Sequence, residues 1–303
     1  MKKVLVAGGN SFLAKRLLCL LDGESYKVAA LTRNMDDTKD KGNISYVNLD
    51  LNEYQNIGKH IKDCDVYIPF AWQGTKREER ESEAVNEFSY RKLLQSVKTA
   101  IEQCGCKKII LPGTCHEYRN NGTPIDENTP CIPVTPYGKY KNKLYNEAGE
   151  YCSKHNVTFI ELRMFSIYGE NDKPTKMINT WLKKLLANEP INMTLGYQLY
   201  SFLHVDDVVR AFKTAVDKDN LSGAYNLAAA EHRRLRDFVD EMKELANSES
   251  DIHYGAVPHA NSSIPHTIFV SNKTKDELEW YPKVEFSSGV LRMIEYCQRN
   301  GCL

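Results

Sequence analysis

Charge of one sign is missing from this sequence. Across 303 residues, 40 lysines and arginines are matched by 40 aspartates and glutamates. A balanced chain has no electrostatic grip on nucleic acid or on an anionic membrane surface. Long apolar runs are missing too: none approaches the ~20 residues that cross a bilayer. Met1-Lys2-Lys3 leads straight into an apolar run, with no leader pattern. Paired cysteines are absent. The nine cysteines are odd in number and scattered. Cys104 and Cys106 stand too close together for a zinc knuckle. We read all of them as reduced thiols of a cytoplasmic protein without a metal site. There are no internal repeats and no low-complexity tracts.

What is present is an alternation of short apolar runs with helical patterns. Residues 2–7, 28–31, 44–49, 65–70, 108–111 and 157–162 read as strands. Helical patterns follow the first run and cover residues 85–103 and 139–155. This rhythm predicts an α/β fold with a doubly wound parallel sheet. Ligands of such sheets bind at the carboxyl ends of the strands. Those ends carry Gly8, Arg33, Asp50, Ala71 and Thr114. Trp181 and Trp280 read as core.

The first strand passes through Gly8-Gly9-Asn10-Ser11-Phe12-Leu13-Ala14 into a helix. Backbone N–H groups and the helix dipole make such a turn a phosphate cradle. Ser11 and Ala14 stand at glycine positions of the dinucleotide fingerprint, and both are small. The second strand ends at Thr32-Arg33-Asn34, and no acid occurs from residue 28 to 34. An acid there binds a ribose 2′-hydroxyl; a cation suits a 2′-phosphate. Arg33 therefore favours NADP(H) over NAD(H). Its other reading is a solvated loop arginine.

Tyr137 and Lys141 lie four apart, one helical turn on one face. Pro136 suits the first turn of that helix. A nearby ammonium favours phenolate and lowers the phenol pKa from ~10. Such a phenol exchanges a proton with a carbonyl or alcohol near neutral pH.

Four stretches occur in a telling order. They are Thr114-x-x-x-Tyr118, Pro136-Tyr137-Gly138-x-x-Lys141, Leu162-Arg163-x-Phe165-Ser166-x-Tyr168-Gly169 and Phe202-x-x-Val205-Asp206-Asp207-Val208. With these, nearly the whole chain resembles the extended short-chain dehydrogenase/reductase family. The likeness is to its NAD-dependent epimerase/dehydratase type, which acts on nucleotide-diphosphate sugars. The resemblance implies a Rossmann-type dinucleotide domain over residues 1–165, rejoined by 204–230. It implies a smaller nucleotide-sugar lobe from 166–203 and 231–303. Thr114 would hold the sugar oxygen, Tyr137 would move its proton, and Lys141 would hold the nicotinamide ribose and tune Tyr137. Cofactor contacts fall on Gly8, Asn10, Ser11, Phe12, Leu13, Thr32, Arg33, Asp50, Leu51, Phe70, Ala71 and Lys141. Substrate contacts fall on Trp72, Cys115, His116, Ser166 and Tyr200. A homodimer of paired helices is implied as well.

Departures from the family pattern narrow the reaction. Ser166 replaces an Asn near the diphosphate, and Tyr200 replaces an Arg. Either Lys173, Lys176 or Arg236 substitutes, or the nucleotide sits differently. Family 4,6-dehydratases carry Asp-Glu directly after the catalytic Thr; here Cys115-His116 stands there, which speaks against a dehydratase. His116 either lines the sugar pocket, serves as a second acid or is a hydrogen-bonded loop residue. Glu117 receives no role. The favoured expectation is NADPH-dependent reduction of the C4 keto group of a nucleotide-diphosphate 4-keto-6-deoxyhexose, in deoxysugar synthesis for cell-surface polysaccharide. The alternative is a 4-epimerase with tightly bound NAD. A non-catalytic dinucleotide-binding regulator is a third, opposed by intact Thr114, Tyr137 and Lys141.

Overall fold

Seven strands form the central sheet: β1 (Lys2–Ala7), β2 (Tyr26–Thr32), β3 (Ile44–Asn48), β4 (Val66–Pro69), β5 (Lys108–Thr114), β6 (Thr158–Met164) and β7 (Gly223–Leu227). The computed structural model describes residues 1–35, 40–119, 123–258 and 268–301, without the side chain of Arg77. All neighbours pair in parallel, in the order β7-β6-β5-β4-β1-β2-β3. This is the doubly wound sheet that the alternation predicts. The order reverses between β1 and β4, which places a crevice at their carboxyl ends.

Both faces of the sheet are covered. On one face, Val4 and Val6 of β1 meet helices α1 (Phe12–Leu20) and α5 (Val205–Asp217). On the other, Leu5 and Ala7 meet α2 (Glu83–Cys104) and α3 (Pro136–Lys154). Alternate residues of a strand point to opposite faces, so a strand covered twice reads as a continuous apolar run.

One boundary beside the site differs from the sequence reading. β5 does not stop at residue 111 but runs through Pro112 and Gly113 to Thr114. Beyond Ile109 it pairs with β6 alone. One side of the strand is then unpaired, where proline is tolerated. Helix α3 begins at Pro136, as its suitability for the first turn implies, and Thr135 caps it by accepting the Gly138 N–H at 3.2 Å. Tyr137 is thereby fixed in the first turn.

A third core gathers α4 (Met177–Leu186), α6 (Leu235–Leu245) and α7 (Phe286–Asn300) around Trp181, Phe202, Phe238 and Phe286. Trp181 and Trp280 are both buried, but Trp280 packs into the core of the sheet. Its indole donates to the Asp207 carbonyl at 2.9 Å. The Asp207 carboxylate accepts the N–H groups of Lys283 and Val284, each at 2.9 Å, and pairs with Arg210. One buried aspartate thus ties the segment before α7 to α5. Charged hydrogen bonds contribute about 1.5–3 kcal/mol each, and an orphaned buried group costs a similar amount. Asp207→Ala is expected to lower unfolding free energy by about 3 kcal/mol. Urea denaturation measures it; a loss under about 1 kcal/mol contradicts this anchoring.

Candidate active site

The turn after β1 is closed by contacts that only glycine permits. Gly8 has φ +75°, and a Cβ there would lie 2.9 Å from the Ala71 nitrogen after β4. The Gly9 N–H donates to the Leu31 carbonyl at 2.8 Å. The Tyr54 hydroxyl lies near the Gly8 backbone. Ser11 caps α1 by accepting the Ala14 N–H at 3.3 Å. Asn10 donates to the Asn34 carbonyl at 2.8 Å, and the Thr32 hydroxyl bonds the same carbonyl at 3.0 Å. The ends of β1, β2 and β4 therefore converge on one small-residue cradle. Arg33 is exposed beside it. Asp50 accepts the Asn52 N–H at 2.9 Å and caps a 3-10 turn. Phe12, Leu13 and Phe70 pack against one core and Leu51 lies in the other. Their side chains are committed to packing.

Thr114, Tyr137 and Lys141 meet at the end of β5. The Thr114 side chain lies beside the Tyr137 phenol and favours its ionised form. The Lys141 ammonium donates to the Pro112 carbonyl at 2.9 Å. It lies 4.2 Å over the Trp72 ring and 6.0 Å from the centre of the Tyr137 ring. Trp72 in turn stands edge-on to Tyr137 at 6.0 Å. Gly138 makes the junction possible: a Cβ there would fall 2.0 Å from the His116 carbonyl.

The electrostatics correct one expectation. Burial pushes the Tyr137 phenol up to about 12, although the Arg80 guanidinium and the Thr114 hydroxyl pull it back. Burial lowers Lys141 to about 8, against the raising effect of Glu117 and Glu161. Desolvation outweighs the cation here, so Tyr137 at neutral pH is a phenol and a proton donor. His116 lies edge-on to Tyr137 at 5.6 Å. Burial, then Arg80 and Lys176, drive it down to about 4. It is a neutral imidazole near pH 7, not a cationic second acid. Burial also raises the Cys115 thiol to about 11.

The other expected substrate residues come together in part. Ser166, at φ +36°, lies beside the Tyr200 hydroxyl. Lys173 donates to the Thr75 hydroxyl at 3.1 Å across the cleft, and Lys176 faces Arg80. Arg236 instead lies 4.1 Å over the Tyr254 ring.

Against known proteins, residues 4–228 match the model of the NAD dependent epimerase/dehydratase family. The chain belongs to that family. A putative UDP-glucose 4-epimerase of Methanocaldococcus jannaschii is 25% identical, over 98% of this chain and 99% of that protein. A CDP-abequose synthase of Salmonella muenchen is 24% identical, over 97% of each. Among solved structures, DesIV, the dTDP-glucose 4,6-dehydratase of Streptomyces venezuelae with NAD bound, superposes with a TM-score of 0.87. It is 17% identical, over 98% of this chain and 97% of that one. This chain thus shares its fold with that dehydratase.

Within that family fold, two features of this chain escaped the sequence reading. Arg80 lies in a run of charges, residues 76–83, that reads as solvated. Its guanidinium stands 5.9 Å over the Tyr137 ring and 3.4 Å from the His116 Nε2. Asn86 turns it inward. The Asn86 amide donates to the carbonyls of Glu79 and Ser82 at 2.9 and 2.8 Å and accepts the Trp72 indole N–H at 3.1 Å. The second feature is a buried ionic group beneath Lys141, formed by Glu117, Glu161 and Arg163. His116 is expected to titrate near pH 4 in histidine ring NMR, assigned with His116→Gln. A midpoint near its ordinary ~6.5 contradicts the burial described here.

Proposed function

We propose that this protein reduces the C4 keto group of a nucleotide-diphosphate 4-keto-6-deoxyhexose with NADPH. The observation that carries the reading is the meeting of Tyr137, kept as a phenol, with Thr114 at the end of β5 and with Lys141 one turn along α3. The cradle fits a dinucleotide: a Cβ at Gly8 would close it, and Ser11 leaves the start of α1 capped and close to its backbone. Gly8, Asn10, Ser11, Thr32, Arg33 and Ala71 would hold it there, with Lys141 at the nicotinamide ribose. When bound, NADPH supplies the hydride that reaches C4.

The chain's own residues supply the rest. Thr114 fixes the keto oxygen by hydrogen bonding. Tyr137 gives its proton to the oxygen as negative charge develops there. Arg80, at the ring face of Tyr137, stabilises the phenolate that remains. Ser166, Tyr200 and Lys176 face the remainder of the nucleotide sugar. Dehydration is disfavoured, because Cys115 and His116 are both neutral at pH 7 and offer no carboxylate pair. We place the enzyme in the cytoplasm as a homodimer, and light scattering tests the second point.

A 4-epimerase is the second reading. The epimerase among the relatives and the NAD in the DesIV structure favour it. Purified protein separates the two. Stoichiometric NADPH consumption with a panel of 4-keto-6-deoxy sugars, with the product defined by NMR, supports the reductase. Tightly held NAD and interconversion without net oxidation support the epimerase.

Two substitutions test the roles. Tyr137→Phe removes one hydroxyl and keeps the ring. Positioned proton transfer contributes about 10²–10⁴-fold, so kcat is expected to fall by about that factor with little change in cofactor affinity. Retention of more than half of kcat, with chemistry rate-limiting, contradicts the assignment. Arg33→Asp is expected to move the NADPH/NADH ratio of kcat/KM by about tenfold toward NADH, since a carboxylate repels the 2′-phosphate. A change below about threefold makes Arg33 a loop cation only.

A further inference from the structure

An aromatic ring closes over the buried end of Lys141. Trp72 follows β4, and the Lys141 ammonium lies 4.2 Å from the centre of its ring. The lysine is 4% exposed. Its ammonium has three donors, and one goes to the Pro112 carbonyl at 2.9 Å. Among the described residues no carboxylate comes within 4 Å of it. Glu117 beyond β5 and Glu161 on β6 act on it from farther off, and Arg163 engages both. Tyr137, on the same helix, has its ring centre 6.0 Å away. Of the two rings near the ammonium, Trp72 is much the closer. An ammonium shut off from water is costly unless something compensates it. An aromatic face attracts a cation through its quadrupole, tryptophan most strongly, and the attraction grows when both are desolvated.

The ring is held in place from its other side. Its N–H donates to Asn86 Oδ1 at 3.1 Å. Asn86 is 0% exposed, and its own amide is tied to the Glu79 and Ser82 carbonyls. Ser89, one turn along α2, accepts the Gln73 N–H at 3.0 Å and so pins the backbone next to Trp72. Gly74 lets the segment come this close: it has φ +89°, and a Cβ there would lie 2.8 Å from Asn86 Oδ1. None of these contacts involves Lys141. Helix α2 therefore sets the indole, and the indole presents its face to the lysine of α3.

We propose that Trp72 is a positioning residue for Lys141: its ring face holds the ammonium by a cation–π contact and keeps it charged while it is shut off from water. Only the ammonium gains from the ring quadrupole; the neutral amine does not. The ring therefore favours the protonated lysine, against the burial that brings it down to about 8. Weakening the ring face leaves that burial in place and takes away what opposes it. The Lys141 midpoint must then move down. The use of Lys141 at the nicotinamide ribose rests on the proposed function; the contact with Trp72 does not.

The test installs tryptophans carrying one, two and three ring fluorines at position 72 alone. Fluorine draws electron density from the ring face with little change of shape, and it leaves the indole N–H for Asn86. Lys141 is followed by NMR of [ε-¹³C]lysine-labelled protein, assigned through Lys141→Met, with neither cofactor nor substrate present. Its midpoint is expected to fall stepwise with each fluorine, by about half a pH unit over the series, about threefold in proton affinity. A ring that only fills space gives no such trend. An unchanged midpoint across the series, or a rise, overturns the proposal. Should the fluorinated chains not fold, the wild-type protein decides. Protons held over an indole face are shielded by its ring current, so the Lys141 ε-protons are expected upfield of the ordinary lysine envelope. A Lys141 signal inside that envelope overturns the contact. In turnover, the basic limb of kcat is expected to follow the midpoint. A moved midpoint with an unmoved limb supports the contact and rejects the role given to Lys141 under the proposed function.

Discussion

Where β5 runs beside α3 and β6, four ionisable side chains lie out of reach of water: Lys141, Glu117, Glu161 and Arg163. Taking one such charge out of water costs several kcal/mol unless its neighbours compensate. Two acids and two cations compensate one another here. The same desolvation acts on Tyr137 and His116 next to them, where fewer charges offset it. One physical term therefore keeps Tyr137 a phenol, makes His116 neutral and lowers Lys141 toward neutrality. The arrangement depends on close backbone approach at Gly113 and Gly138, where a single added methyl would collide.

The cleft is completed from two directions. From the sheet, the segment after β4 folds over the site because Asn86 and Ser89 of α2 bond its backbone. Ser89 accepts the Gln73 N–H at 3.0 Å, and Asn86 gathers two carbonyls farther along. From the other core, Lys173 reaches Thr75, and Ser166 lies beside Tyr200. Asp207 ties the segment that leads into α7 to the sheet. Thr114, Tyr137 and Lys141 thus stand on a strand and a helix of the sheet layer.

Most of the sheet was legible because strands covered on both faces read as plain apolar runs. The carboxyl end of β5 was not. Pro112-Gly113 reads as a break, and only pairing to β6 carries the strand on to Thr114. The Tyr137–Lys141 spacing was visible, but the direction of the phenol's shift was not, since burial decides it. Arg80 was hidden because the residue that turns it inward, Asn86, gives no local signal. Glu117 stayed without a role because Glu161 and Arg163 arrive from a later strand.

Burial, rather than a neighbouring cation, sets the protonation of Tyr137. The most direct measurement is ¹³C NMR of ζ-labelled tyrosine, with the Tyr137 signal assigned by its loss in Tyr137→Phe. The account predicts a phenol signal that persists through pH 10, because its midpoint lies near 12. A Tyr137 phenolate appearing below pH 9 would contradict it.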